Sequence, residues 1–233
     1  MPRSKSIFAI LMILSFFFNE AQAMFWRKEI VIGYTAVTSD QARDINKNNK
    51  LYIQQIRSIN PLGDGIYMRN KPEGLANREG TWFCAIKARK WKLKKADKVY
   101  IPKFYEPETS DDTLPQEQTS RGGSGRIRLW GKDEKVLVEY IKSQQVLSRL
   151  KQTLRWPWGQ ADEPNKALRF SWVEGRKRQL QMVIPMRVVY DDDRLDLWAK
   201  CFASEAELRE FSAEPIKWET WNIKGHPGSP DSR

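Results

Sequence analysis

Histidine is almost missing from this 233-residue chain: His226, in a Gly-Pro-Ser context close to the end, is the one copy. That scarcity excludes several chemistries together. Ser-His-Asp and Cys-His nucleophile pairs need a well-packed imidazole. Catalytic zinc sites usually need two or three, and nucleases with paired histidines need two. No metal site is expected. Asp191-Asp192-Asp193 reads as a solvated turn, because no calcium-loop spacing follows it. No carboxylate pair carries a glycosidase signature. What remains is chemistry resting on carboxylates, on hydroxyls, or on a cofactor that brings its own reactive bond. No Asn-x-Ser/Thr sequon, no internal repeat and no nucleic-acid-binding motif occurs.

Long apolar runs are also missing, apart from Ile7 to Phe18. That run is too short to cross about 30 Å of hydrocarbon as a helix. Arg3 and Lys5 precede it and Ala21-Gln22-Ala23 follows, so residues 1–23 read as a secretory signal peptide cut after Ala23. The expected protein is secreted and extracellular. Export bears on the two cysteines, Cys84 and Cys201. An oxidising compartment favours their pairing, with two buried free thiols as the alternative. Closing so long a loop is worth about 4–5 kcal/mol in the chain-entropy model.

Positive charge is plentiful. The formal net charge is +11. Such a surface attracts nucleic acid, anionic membrane or an acidic protein, without choosing among them. Its densest stretch is 87–105, where eight basic residues interleave with Trp91, Leu93 and Tyr100. It reads as a helix with a solvated lysine face, and the alternative is a phosphate-backbone or bilayer contact.

The pattern along residues 24–225 predicts one α+β domain of mixed antiparallel sheets with flanking helices. The centre is Leu62-Gly63-Asp64-Gly65-Ile66-Tyr67-Met68, a tight turn that delivers a strand. Before it come a strand around Ile30–Tyr34 and a helix opened by Thr38 with Gln41 in capping-box spacing. After it come a buried strand at 82–86, a surface loop over 106–125, and a helix over 133–154 capped by Asp133. A connector over 155–165 follows, then strands at 168–173 and 179–184. Val188-Val189-Tyr190 is expected to extend the sheet. Ser204 and Glu207 open a helix that buries Leu208 and Phe211, and 216–223 reads as an aromatic strand. A disordered tail is expected over 226–233.

In this order the motifs resemble the secreted ADP-ribosyltransferase fold of the heat-labile enterotoxin A-chain type, shared by a group of fungal effector-like proteins. Val31-Ile32-Gly33-Tyr34-Thr35 is similar to the family's first strand, and the double-glycine turn to the strand that floors its nicotinamide pocket. Gln179-Leu180-Gln181-Met182-Val183-Ile184-Pro185 resembles the later Glu-x-Glu or Gln-x-Glu strand that runs into Ile-Pro. The resemblance covers about residues 30–190 and implies NAD as cofactor. Tyr34 and Tyr67 then line the nicotinamide groove, and Gly63 and Gly65 let the strand approach it. Two departures follow. Thr35 stands where the family holds NAD phosphate with arginine, and Gln181 stands where it has the catalytic glutamate. A neutral amide supplies no negative charge to an oxocarbenium-like transition state. A different alignment gives the catalytic place to Glu134, whose plain alternative is a helix-capping acid.

A secreted nuclease of carboxylate-arginine type has charge alone behind it, and two readings stand ahead of it. One is a toxin or effector of this fold with ADP-ribosyl transfer weakened or lost. The other is a non-catalytic secreted binding module, a monomer that acts on an acidic host protein through the basic surface at 87–103 and 176–178.

Overall fold

The structure, a computed structural model, describes residues 28–51, 60–75, 78–106, 126–150, 163–176 and 178–230. The expected signal peptide, most of the 106–125 loop and most of the connector lie outside these residues. The architecture is α+β: one mixed seven-stranded sheet, a two-stranded ribbon and short helices on the sheet.

Strand β1, Glu29–Thr38, runs into helix α1, Ser39–Asn48. Thr38 and Gln41 form the reciprocal cap that their spacing predicts, and Ala42 and Ile45 are the buried face. The double-glycine turn delivers β2, Gly65–Arg69, and β3 is Thr81–Arg89. The basic stretch differs from the single helix expected. Its first residues belong to β3; then come a six-residue helix, α2, Lys90–Lys95, strand β4, Lys98–Tyr100, and strand β5, Phe104–Tyr105. Val99 has no exposed surface, so this stretch dips into the core rather than lying along a solvated face. Strand β6, Ile127–Arg128, pairs with β5. Helix α3, Glu134–Leu150, buries Leu137, Tyr140 and Ile141.

Strand β7 is Leu168–Trp172 and β8 is Leu180–Pro185. The expected extension at 188–190 is instead helix α4, Met186–Tyr190. Pro185 brings no N–H to continue a ladder, and the Met186 amide donates to the Asp64 carbonyl at 3.3 Å, which turns the chain. Val188 and Val189 are buried on a helix face instead. Helix α5, Asp192–Leu195, strand β9, Trp198–Phe202, and helix α6, Glu205–Phe211, follow. Ser204 caps α6 as expected and Leu208 is buried, but Phe211 is 37% exposed. The segment read as an aromatic strand holds a 3-10 turn, Trp218–Thr220.

The sheet order is β4-β7-β8-β2-β1-β3-β9; β4 and β7 are parallel and every other pair is antiparallel. Both edges are covered, which blunts edge-to-edge pairing. Asn46 of α1 donates to the Cys201 carbonyl (2.9 Å) and accepts from its amide (2.8 Å), while Asn49 closes the Ala199 carbonyl and amide. At the other edge the Tyr100 amide donates to the Lys224 carbonyl at 2.8 Å. The chain beyond Gly225 continues against the fold as far as it is described. Trp172 Nε1 donates to the Gly228 carbonyl at 3.0 Å.

Cys84 and Cys201 face each other across β3 and β9 and form a disulfide. They belong to the larger core on one sheet face, with Ile66, Met68, Phe170 and Met182. The other face carries two smaller clusters. One lies under α3 around Leu137 and Val183, the other around Tyr34, Phe83 and Leu208.

Candidate functional site

The double-glycine corner is bound from inside by a residue that the sequence reading passed over. Arg169 on β7 has no exposed surface. Its Nη1 donates to the Leu62 carbonyl (2.7 Å) and to Glu134 Oε2 (2.8 Å), and its Nη2 donates to Glu134 Oε1. This planar fork on a carboxylate is the geometry that arginine provides and lysine does not. Tyr67 closes the corner from β2: its hydroxyl accepts from the Leu62 amide (2.9 Å) and donates to the Gly63 carbonyl (3.0 Å). Burial pushes that phenol well above its ordinary pKa.

The two glycines serve this packing. Gly63 sits at φ +81°, and a Cβ there would lie 2.5 Å from both Arg169 Nη1 and Glu134 Oε2. A Cβ on Gly65 would strike the Ile184 carbonyl oxygen of β8. The close approach that these glycines allow is therefore between parts of the same chain.

The remaining predicted residues lie on neighbouring strands. β1 and β2 are side by side, with Tyr34 opposite Arg69. Where the two strands part, segment 212–218 fills the gap. The Ile216 amide donates to the Asn70 carbonyl (2.8 Å) and Trp218 Nε1 donates to the Ile32 carbonyl (2.9 Å). Tyr34 is fully buried; its hydroxyl bonds Ser212 Oγ (2.7 Å) and donates to the Glu214 carbonyl (3.1 Å). Thr35 Oγ1 donates to the Tyr67 carbonyl at 2.8 Å. The hydroxyls of Tyr34 and Tyr67 thus serve different segments, Ser212 and Glu214 for one and the Leu62-Gly63 corner for the other. Gln181 on β8 is 9% exposed and its Nε2 donates to the Trp172 carbonyl at 3.3 Å.

The structure therefore joins Gly63, Tyr67 and Glu134 in one node built on Arg169. Gln181 stands two residues along β8 from Val183, the register partner of both Tyr67 and Arg169. Register also reveals a row that no motif announced. Arg69 pairs with Gln181 and Gln181 with Ser171, so the three side chains share the face of Tyr67 and Arg169. Ser171 has no exposed surface.

The basic surface is divided rather than continuous. Lys87 lies over the rings of Trp198 (4.5 Å) and Phe211 (4.8 Å), and Lys95 lies over Trp91 (5.0 Å). Lys103 pairs with Glu174 at 3.1 Å. Lys98 is 6% exposed, and burial lowers its ammonium to about 8, with Lys224 lowering it further against the pull of Asp97. Lys177 lies outside the described residues. Asp191 pairs with Lys166 at 2.7 Å, and no cluster of metal-ligating side chains occurs among the described residues.

No curated protein and no solved structure matches the chain. Residues 60–226, most of the chain and all of the corner, the Arg169 node and the polar row, match the model of a family of unknown function, DUF5910, and the chain belongs to that family.

Proposed function

We propose that this protein is a secreted, cationic binding module acting on an acidic host protein, built on an ADP-ribosyltransferase-like layout whose NAD-dependent transfer is weakened or lost. One observation carries the reading: the side chains that transfer would need are engaged within the chain. Gln181 is an amide bonded to a backbone carbonyl. Glu134, the one carboxylate among the candidates, is held by the buried Arg169. The hydroxyls of Tyr34 and Tyr67 are both bonded to backbone, and the space beside Gly63 and Gly65 is filled by Arg169, Glu134 and the Ile184 carbonyl. These residues are a poor fit for a dinucleotide. Electrostatic stabilisation of the transition state is usually the largest catalytic contribution, and no unengaged carboxylate among the candidates supplies it.

The binding half rests on charge. The net charge is +11, and Lys87 and Lys95 present ammonium groups on aromatic rings at the surface. Stacking on a ring orders a lysine without neutralising it, so its charge stays available to an acidic partner.

Two measurements test the reading. Labelled NAD incubated with the mature protein and a host extract should give neither transfer nor hydrolysis, and turnover above the buffer rate refutes the loss of activity. Retention of the protein on immobilised polyglutamate should fall steeply as salt rises. Retention that ignores salt refutes recognition through charge.

A further inference from the structure

We propose that Arg69, Gln181 and Ser171 form a binding site for a phosphate group, on the sheet face between the two smaller apolar clusters. The inference deepens the binding-module reading and rests on it only for its biological role.

The site follows from what these side chains lack. Arg69 Nη1 and Ser171 Oγ are buried and have no hydrogen-bond partner among the described residues. Arg169 Nε, two positions from Ser171 on β7, is a third such atom. A buried donor without an acceptor costs free energy, and native folds leave few of them. Here three fall on one face, around Gln181, whose Cα partners are Arg69 on one side and Ser171 on the other. Directly opposed Cβ atoms in such a ladder lie about 5 Å apart, so the row spans the width of one tetrahedral anion and its donors.

The charge points the same way. Arg69 is half-buried, and its pKa is lowered by burial and then by Arg176, from the turn after β7. Two positive guanidiniums oppose each other here, and each disfavours the other's charge. A phosphate would take bidentate bonds from guanidinium and single bonds from the serine hydroxyl and amide. Arg69 keeps part of its surface in solvent, which leaves a way in. Neither Arg69 nor Gln181 can act as the general base that would activate the Ser171 hydroxyl, so the site is one for holding.

The experiment uses the mature protein and inorganic phosphate. Thermal unfolding is followed during phosphate titration, with chloride at matched ionic strength as control, alongside calorimetric binding. The expected result is a saturable rise in Tm with phosphate and none with chloride. Arg69→Gln should weaken the affinity by about tenfold or more, as expected for losing a charged hydrogen-bonding group. Ser171→Ala should weaken it less while leaving the phosphate-free protein folded, because it removes an unpartnered hydroxyl. Equal stabilisation by chloride, or full phosphate affinity in both variants, overturns the proposal. O-phosphoserine binding tighter than the free ion assigns the group to a phosphorylated partner, and the reverse order assigns it to free phosphate. Binding of neither also overturns it. Transfer from NAD would refute the loss of catalysis without touching this site, and failed phosphate binding would leave salt-dependent polyglutamate retention standing.

Discussion

Glu134→Gln separates a structural from a catalytic role for the carboxylate that the family resemblance offers as an alternative catalyst. Both terminal nitrogens of Arg169 donate to Glu134, and Arg169 has no exposed surface. Glutamine keeps one acceptor oxygen but presents an amide N–H₂ to the second guanidinium nitrogen. The variant loses a charge-assisted hydrogen bond and leaves a buried cation without its counter-ion. Breaking a fully buried pair costs about 3–5 kcal/mol. The Glu134 side chain is 50% exposed, so water restores part of that, and about 2 kcal/mol is expected. The Leu62 carbonyl, still bonded to Arg169 Nη1, prevents a larger loss. Urea denaturation of wild type, Glu134→Gln, Arg169→Met and the double variant measures it. The double variant should be more stable than the sum of the single losses implies, by 1 kcal/mol or more. A loss under about 0.5 kcal/mol for Glu134→Gln, or strict additivity, refutes the claim that this pair holds the corner.

Gly65→Ala should destabilise by about 3 kcal/mol, because its Cβ meets the Ile184 carbonyl, which cannot move without breaking strand pairing; a melting temperature like that of wild type would contradict this. Reduction of Cys84–Cys201, which spans 117 residues, should cost about 4–5 kcal/mol in the chain-entropy model, read from denaturation with and without reductant. Lys98 gives a pH signature. Its folded pKa of about 8 lies below the ordinary value of 10.5, so between these values the unfolded chain binds more protons. Stability should therefore rise as pH climbs from 7.5 to 9.5, by about 3 kcal/mol at most across the full window, and Lys98→Met should flatten the slope. A slope of opposite sign, or one that Lys98→Met retains, sinks the assignment.

The elements that could be read ahead of the structure are those whose signals are local. The Thr38–Gln41 and Ser204–Glu207 spacings produced caps because each bond closes within one turn. The double-glycine corner produced a strand, since φ +81° at Gly63 suits glycine. The misreadings share a different cause. Val188-Val189-Tyr190 has β-branched residues and reads as sheet, yet Pro185 removes the donor needed to go on. The lysine-rich stretch from 87 looked like one solvated helix, but Val99 and Ile101 draw it inward after a single short helix.

The site was half legible for the same reason. Glycines, tyrosines and acids draw attention as residue types, and Gly63, Tyr67 and Glu134 do meet. The group that brings them together was hidden in Leu168-Arg169-Phe170-Ser171-Trp172, an alternation that reads as apolar-in, polar-out. That inference holds for a sheet with one wet face. Here α3 and the Leu62 corner cover β7 on its second side, so the polar positions 169 and 171 are as deeply buried as Phe170. A buried arginine and serine on the nominally wet face then require partners. Glu134 and Leu62 satisfy most of Arg169, while Ser171 and Arg69 keep atoms with none. Covering the second face thus makes an apparently exposed alternation both a structural clamp and part of an unfilled set of donors.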